Sequence, residues 1–501
     1  MDKEEKLLKI VKCGLYLSFL TPLILGPFGI TLSAYPKAVF FRSVIEFTSI
    51  IYLILIYYFP RYFPKISPLI LAVMIFDSAL LISSVLGLNF MRSFIGTLDR
   101  GEGLVLHLHL FLFLIMITGV FKSREDWLKT LKVAFTVSCL SSFAGILQKI
   151  GIFTFYGNSL PDRMSGTLAN PDFFGAYMTL SIFLGIIILT LEPERDFKIL
   201  WIGLVFLNFF ALILSKTRAA WFGLIIGSSI LVFLLFTKKS RINQKAKKLL
   251  LIGTYKYLSF VLIILLNAER IGLTNNILYN RFFSTFAPNS VSSRLVVWQV
   301  AFDAWKQSPI LGWGSEMFGF LFDKLSKSSF LPYTHELYFD YPHNKFLGIL
   351  SDAGILGLLS FFSIFFVIFY LFFKKSGAQI IGERDYFIKF SLVSFFIAYL
   401  VQNIFSFDTI TIYFLFFLVI GFVNNYFYYF DENSEKLIKI NKNLTNLDKI
   451  KKYSFFIVSF LLVVTFYQIN YKPTISGIYF NRAIKSGYSS EDYFSEVLRK
   501  I

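Results

Sequence analysis

The sequence predicts an all-α polytopic membrane protein with about 12 to 13 transmembrane helices and one long extracytoplasmic loop. Hydrophobic residues make up 56% of the 501 residues and charged residues 16%, whereas an ordinary soluble domain is about a quarter charged. Apolar runs long enough to cross a bilayer recur along the chain, and a run of about 20 residues suffices. Such segments must pair their backbone internally, which predicts helices. The ten-residue alternation of a membrane β-barrel is not seen.

Thirteen apolar runs are candidate spans. The first contains Pro22 and Pro27 and lacks a small-residue cleavage site, so a helix is expected there rather than a signal peptide. The predicted spans cover roughly residues 8–28, 38–59, 67–88, 103–121, 130–152, 172–191, 197–214, 219–236, 249–267, 345–373, 386–405, 410–430 and 454–470.

The positive charges predict the orientation. The net charge is +18, which in a soluble protein would suggest nucleic-acid binding. With the N-terminus inside, the segments that would face the cytoplasm carry 28 Lys and Arg residues, and the short outer loops carry 6. Cytoplasmic loops are the basic ones, so a cytoplasmic N-terminus is expected, and thirteen spans place the C-terminal tail outside. No nucleotide-binding motif is found, which argues against an ATP-driven pump.

The chain divides into four parts. We expect an N-terminal transmembrane bundle of about nine helices (1–267), an extracytoplasmic catalytic loop (268–344), C-terminal transmembrane helices (345–470) and an extracytoplasmic helical tail (471–501). Within the loop, helical spacing of apolar residues predicts an amphipathic helix that ends near Pro309 and Gly312 and lies against the membrane surface. The apolar positions are Leu295, Trp298, Ala301, Phe302 and Trp305.

Three arginines in the predicted outer loops are candidate anion ligands. Arg218 ends the turn that begins at Ser215 and opens a helix, where backbone N–H groups favour phosphate; the alternative is an interfacial anchor. Arg294 precedes the amphipathic helix, and its alternative is a solvated loop arginine. Arg163 lies in a loop that leads into the sixth helix, and its alternative is a turn residue.

One of the four histidines is a candidate base. His343 stands where the long loop re-enters the membrane, and Asn344 is a plausible N-cap of the next helix. A neutral imidazole there can accept a proton from a sugar hydroxyl, although a lone histidine is more often structural. His335 is a weaker candidate. His107 and His109 are two residues apart on a helix and do not share a face, so no metal site is assigned.

Together these residues resemble the O-antigen ligase family, which includes Wzy-type polymerases and bacterial O-oligosaccharyltransferases. The resemblance covers roughly residues 150–420. Relatives often carry Glu where Asp352 stands, and some have helical repeats after the last helix. The matching stretches are Arg163 to Pro171, Ser215 to Arg218, Ser293 and Arg294 through Trp298, Ala301, Pro309, Gly312 and Gly314, and His343 to Leu347 continuing to Gly354 and Gly357.

The resemblance implies a GT-C-like glycosyltransferase of the bacterial inner membrane, active in lipopolysaccharide or polysaccharide synthesis for the cell envelope. It would move a glycan from undecaprenyl pyrophosphate to an acceptor hydroxyl on the outer face, with inversion, without a metal and without a cofactor. His343 matches the family's essential histidine, and Arg218 and Arg294 match its pyrophosphate-binding arginines. Further candidate contacts to donor or acceptor are Arg163, Lys216, Asn344 and His335.

Several alternatives stay open. The acceptor is a lipid A core sugar in a ligase, another repeat unit in a polymerase, or a protein Ser or Thr in an O-oligosaccharyltransferase. A transporter or flippase of lipid-linked glycans would use the same basic residues without His343, and the intramembrane carboxyls Asp77 and Asp352 keep that class open. A non-catalytic assembly scaffold has no feature in its favour. Membrane lipids are expected partners, and nucleic acid is not.

Overall fold

In the computed structural model the described residues form helices with turns and short loops between several of them. It describes residues 2–26, 34–97, 99–152, 163–236, 288–326, 338–373, 383–428, 430, 458–476 and 478, and the side chains of all of these except 288–293 and 383. The helices are α1 (Lys3–Ser18), α2 (Tyr35–Tyr58), α3 (Pro68–Leu86), α4 (Phe90–Ile95), α5 (Leu104–Val120), α6 (Arg124–Lys149), α7 (Pro171–Leu191), α8 (Arg195–Ser215), α9 (Arg218–Phe236), α10 (Pro288–Gln307), α11 (Phe318–Leu325), α12 (Lys345–Phe373), α13 (Glu383–Gln402) and α14 (Ile410–Tyr428).

Nine helices among the described residues are long and apolar enough to cross a membrane, and they confirm an all-α polytopic membrane protein. They are α2, α3, α6, α7, α8, α9, α12, α13 and α14. The apolar α5 is shorter. The predicted span 249–267 lies outside the described residues, and only part of 454–470 lies within them; helix covers 458–476 there, with a π-helical turn at Phe466–Tyr471.

The first predicted span is shorter than expected. Instead of continuing through residues 8–28, α1 ends at Ser18 and is followed by a 3₁₀ turn at Thr21–Leu23. Pro22 lies in this turn, and proline has no N–H for the helical ladder and clashes with the preceding turn. Pro22, one of the two prolines that argued against a signal peptide, therefore also ends the helix early.

The bundle has two chemically different ends. One end gathers the described segments that were predicted to be cytoplasmic, and side-chain ion pairs tie these segments together. The pairs are Lys12–Asp126, Arg61–Glu4, Arg124–Asp385 and Lys132–Glu192. The opposite end, called the site end below, gathers the turn between α8 and α9, the loop between α13 and α14, the start of α12, and α10. The structure thus sorts the loops as predicted, and which end faces the cytoplasm stays a prediction.

A break in α12 shapes the site end. Gly354 has φ 63° and ψ −164° inside this helix, so the local ladder is interrupted. The segment that follows α10 repairs the interruption: Ile355 N–H donates to Pro309 O at 2.9 Å, and Gly314 N–H donates to Asp352 O at 2.8 Å. Irregular backbone at membrane depth is tolerated when protein satisfies its polar groups. The Pro309 to Gly314 stretch and Gly354, far apart in sequence, are therefore one structural unit.

The amphipathic helix in the long loop is confirmed as α10, and most of its predicted apolar face is not buried in the protein. Leu295 is 53% exposed and Phe302 39% exposed. Of the five predicted positions Ala301 alone is buried, and the helix packs instead through its valine face and Ala304. The buried residues of α10 are Val296, Val297, Val300, Ala301 and Ala304. Because both faces of α10 are apolar, the valine face contacts protein while the predicted face is left for the membrane surface, a contact that stays a prediction.

Candidate functional site

The side chain of Phe407 organises the site end. It lies in the loop between α13 and α14 and is 3% exposed. The ring centroids of His343 and Tyr341 lie 5.4 Å and 4.6 Å from that of Phe407. The guanidinium carbon of Arg100 lies 4.0 Å from the same centroid, a cation–π distance. A histidine and an arginine from distant parts of the chain are thus brought together on one aromatic ring.

His343 is held in an unusual backbone conformation. Its φ is 51°, in the left-handed region, which costs a non-glycine residue of the order of 1–3 kcal/mol and is typical of functional sites. The conformation turns the chain into α12, whose first turn is capped by Asn344. The Asn344 side-chain oxygen accepts from Phe346 N–H and Leu347 N–H, each at 3.0 Å. The predicted N-cap is confirmed, so Asn344 is engaged in holding the helix start next to His343.

The surroundings of His343 disfavour its protonation. Burial, and after it the positive charges of Arg294 and Arg100, lower the pKa of the imidazole to about 4, against Asp340 and Asp172, which raise it. Within the described part of the chain its ring nitrogens have no hydrogen-bond partner. The imidazole is therefore neutral at pH 7 and free to accept a proton.

Arg294 belongs to the same cluster as His343. It does not precede α10 as predicted but lies inside this helix, six residues after Pro288, because the helix begins earlier than the apolar spacing indicated. Arg294 interacts electrostatically with Asp172 at the start of α7 and acts on His343. Its partial burial disfavours solvation of the guanidinium, which is suited to an anionic ligand. The structure thus brings together two residues that were singled out from separate stretches of sequence.

Arg163 fastens the loop before α7 to the turn between α8 and α9. Its Nε donates to Ser215 O at 3.0 Å, and its Nη2 donates to Thr217 Oγ1 at 3.0 Å and to Asp172. The side chain is buried. These contacts indicate that Arg163 positions Asp172 and the α8–α9 turn, which bears on Arg294 and His343 only indirectly.

The remaining predicted residues are placed with differing detail. Arg218 is the first residue of α9 at the site end, directly after Thr217. Lys216 caps α8 with φ 53°, so its backbone forms the tight turn between the two helices. Arg218 therefore has the expected helix-start position. His335 lies outside the described residues.

Arg100 is a site residue that the sequence analysis missed. It lies in the loop before α5, and its Nη2 forms an ion pair of 2.6 Å with Asp340, three residues before His343. Its side chain is 13% exposed. Arg100 is one of only six basic residues in the short loops predicted to be outside, and that scarcity was the available signal.

A second polar network fixes the start of α12 below His343. The Nζ of Lys345 lies 3.6 Å from Asp408 Oδ2 and donates to the Tyr413 hydroxyl. Tyr399 donates to the same carboxylate at 2.6 Å, and Lys345 N–H donates to Asn403 O at 2.9 Å. All of these side chains are buried, so the network ties α12 to α13 and α14 and keeps His343 in register with Phe407.

The other two described histidines belong to separate contacts. His107 Nδ1 lies 3.8 Å from Asp77 Oδ1, while His109 Nε2 lies 3.1 Å from Glu46 Oε1. Different partners on different helices confirm that the two imidazoles do not share a face. Among the described residues, no group of three or more His, Cys, Asp or Glu side chains is arranged to hold a metal ion.

The arrangement combines a neutral base with fixed positive charge at one end of a membrane bundle. Fixed guanidinium groups in a partly desolvated site stabilise developing negative charge strongly, and an imidazole can remove the proton of a hydroxyl. The chemistry that fits is transfer of a group from an anionic leaving group to a hydroxyl.

Comparison with known families agrees with this chemistry. Residues 203–362, about a third of the chain, match the family model described as O-antigen ligase. No curated protein matches the sequence. The match confirms the resemblance expected from the sequence and indicates a multi-pass membrane enzyme that transfers glycans, of the ligase or polymerase kind. The matched region contains α9, α10 and the start of α12, and with them Arg218, Arg294 and His343.

Proposed function

We propose that this chain, whose central region belongs to the O-antigen ligase family, transfers a glycan from undecaprenyl pyrophosphate to an acceptor hydroxyl on the outer face of the bacterial inner membrane. The observation that carries the proposal is the clustering of His343 with Arg294 and Arg100 at one end of the bundle. A family match of this kind supports glycan transfer, and the cluster supplies the groups that a pyrophosphate donor and a hydroxyl acceptor require.

In the proposed reaction His343 takes the proton of the acceptor hydroxyl while that oxygen attacks the anomeric carbon of the donor sugar. The bond from this carbon to the pyrophosphate oxygen breaks, and the leaving oxygen keeps the electron pair. Because one displacement occurs at the anomeric carbon, its configuration inverts. Arg218 and Arg294 bind the pyrophosphate and stabilise the charge that develops on it, for which arginine offers a fork of donors.

The low pKa of His343, about 4, suits an enzyme whose base acts only after the donor has bound. The free site keeps the imidazole neutral, so the base needs no prior deprotonation. A bound pyrophosphate brings negative charge beside Arg294 and His343, and nearby negative charge raises the pKa of an imidazole. The base therefore becomes stronger when the donor is in place, which couples proton removal to occupancy of the donor site.

The acceptor is the part of the proposal with three branches: a lipid A core sugar, another repeat unit, or a protein Ser or Thr. All three present a hydroxyl of similar acidity, so the same base serves each. The genes that neighbour this one distinguish the branches, since a lipid A core pathway, a capsule cluster and a glycoprotein locus each provide a different acceptor.

Two variants test the proposal with purified protein and an undecaprenyl-pyrophosphate glycan. His343→Ala removes the base, and we expect loss of transfer with binding of the lipid-linked donor retained. Arg294→Lys keeps the charge but removes the two-pronged donor, and we expect a fall in transfer of about tenfold or more, which corresponds to about 1.4 kcal/mol. A flippase would show no transfer in this assay, and its transport activity would not depend on His343. Full transfer by His343→Ala would exclude the proposed mechanism.

A further inference from the structure

A cavity lined by carboxyl groups lies inside the site end, beside the His343 cluster. It is lined by residues of α3, α5, α12 and α14, of the loops before α5 and between α13 and α14, and of the turn that holds Ser315. Four acidic residues from separate parts of the chain line it: Glu102, Glu316, Asp352 and Asp408. Its volume is about 30 Å³, which has room for about two water molecules. We call this space the carboxyl cavity.

The carboxyl cavity contains unmet hydrogen-bonding capacity. Glu102 Oε1, Asp352 Oδ1 and His107 Nδ1 are buried and have no hydrogen-bond partner among the described residues. The exposed fractions of these residues are 9%, 8% and 6%. A buried polar group that is left unpaired destabilises the fold, and native proteins pair nearly all such groups. Polar atoms from an occupant are therefore required in this space.

The charges of the cavity favour a neutral occupant. Lys345 lies 3.6 Å from Asp408, so this pair is neutral overall. Burial raises the pKa of Glu102 to about 8, so this carboxyl is mostly protonated at pH 7, and burial also raises the pKa of Glu316. A protonated carboxyl donates one hydrogen bond and accepts others. Hydroxyl groups have the same double capacity, whereas a phosphate offers acceptors alone.

The cavity and the candidate base share a wall. The ring of Tyr341 lines the cavity and lies 4.6 Å from the ring of Phe407. His343 is two residues after Tyr341 in the chain, and its ring lies 5.4 Å from the ring of Phe407. Phe76 and Tyr413 add aromatic surface to the cavity. Aromatic walls with a few convergent polar groups are typical of small-ligand sites.

We propose that the carboxyl cavity is an acceptor subsite that takes two neighbouring hydroxyl groups of a sugar, next to the sugar whose hydroxyl reacts. The assignment of this subsite to the acceptor rests on the proposed function. Two hydroxyls replace two waters in the same space, and they meet the unpaired atoms of Glu102 and Asp352. A ligand group that reproduces the hydrogen bonds of the water it displaces keeps its affinity.

The test measures sugar binding without donor or turnover. Full-length protein in lipid nanodiscs, which avoid glycoside detergents, is examined by saturation-transfer NMR with methyl α-D-glucopyranoside and methyl α-D-galactopyranoside. We expect saturation transfer to at least one of them for the wild type. Glu102→Leu should weaken binding by about fivefold or more, the loss of about one hydrogen bond. Glu102→Gln keeps a donor and an acceptor and should retain binding.

Two controls separate a binding role from a folding role. Glu102→Leu removes an unpaired buried polar group, so its thermal stability should equal or exceed that of the wild type. Glu125→Leu, in the first turn of α6 at the opposite end of the bundle, should leave sugar binding unchanged. No saturation transfer to the wild type, or equal transfer with Glu102→Leu, would overturn the subsite.

The outcome also separates this inference from the proposed function. If lipid-linked donor is turned over but neither glycoside depends on Glu102, the subsite is wrong and the transferase stands. If a glycoside binds through Glu102 but His343→Ala leaves transfer intact, the cavity holds sugar and its assignment as the acceptor subsite of the proposed reaction is overturned.

Discussion

Arg100 and Asp340 form a 2.6 Å ion pair that joins the loop before α5 to the residues just ahead of His343. The guanidinium also lies 4.0 Å from the Phe407 centroid, and this ring contacts the imidazole. Arg100 therefore holds both neighbours of His343, the carboxylate and the aromatic ring. Its charge acts on the imidazole as well. We infer that Arg100 is a positioning residue for the base.

Replacing Arg100 tests this role. Arg100→Lys keeps a positive charge but loses the planar group that stacks on Phe407 and pairs with Asp340. Hydrogen bonds to charged groups contribute about 1.5–3 kcal/mol, so kcat for glycan transfer should fall by about tenfold or more, with the KM for donor nearly unchanged. The measurement is steady-state transfer from a lipid-linked glycan.

Arg124→Lys is the matched control. Arg124 pairs with Asp385 at the opposite end of the bundle, with an N–O distance of 3.4 Å, and its replacement should leave transfer intact. Equal kinetics for the two variants would contradict a positioning role for Arg100.

The acid side of the pH profile should report the charges around His343. The base works when it is neutral, so kcat/KM should be constant above its pKa of about 4 and fall below it. Arg294 and Arg100 lower this pKa, so Arg294→Gln should move the fall to higher pH. Asp340 raises it, so Asp340→Asn should move the fall to lower pH.

The comparison is made between profiles, because Arg294→Gln is also expected to weaken donor binding and so lower the profile at every pH. Tryptophan fluorescence over the same range checks that each protein remains folded. Profiles that coincide in shape for wild type and both variants would show that the imidazole does not set the acid limb.

Local features of the site were predictable from sequence. The stretch from His343 to Leu347 predicted a helix start, and Asn344 caps it as expected because an Asx side chain at this position satisfies free N–H groups. The apolar runs predicted the bundle because the bilayer imposes a fixed length on each helix. Both conclusions depend on residues close together in the chain.

Features made by distant segments were not predictable. Arg100 has no local pattern, and its partner Asp340 lies far along the chain. The carboxyls Glu102, Glu316 and Asp352 meet in one cavity only because α5, α12 and the turn after α10 converge. The face by which α10 packs on protein was not predictable for a related reason, since Val297 and Phe302 are both apolar and the packing of neighbouring elements decides which is buried.

The break at Gly354 gives a prediction about stability. Its φ is 63°, and a Cβ added there would lie 2.3 Å from Ile310 O. Gly354→Ala therefore introduces both a left-handed alanine, at about 1–3 kcal/mol, and a clash with the backbone that repairs the break. The apparent melting temperature should fall. Glycan transfer should fall with it, because the same segment, residues 309–314, positions Asp352 and the turn that follows at Ser315.

Gly203→Ala is the matched control, since Gly203 lies within α8 and an added Cβ would have no atom within 4 Å. Alanine favours a helix interior over glycine by about 0.5–1 kcal/mol, so this variant should melt no lower than the wild type. Thermal unfolding followed by intrinsic fluorescence compares the two. If Gly354→Ala melted as high as Gly203→Ala, the contact between residues 309–314 and α12 would not be a fixed part of the fold, and the carboxyl cavity would lose the wall formed by Ser315 and Glu316.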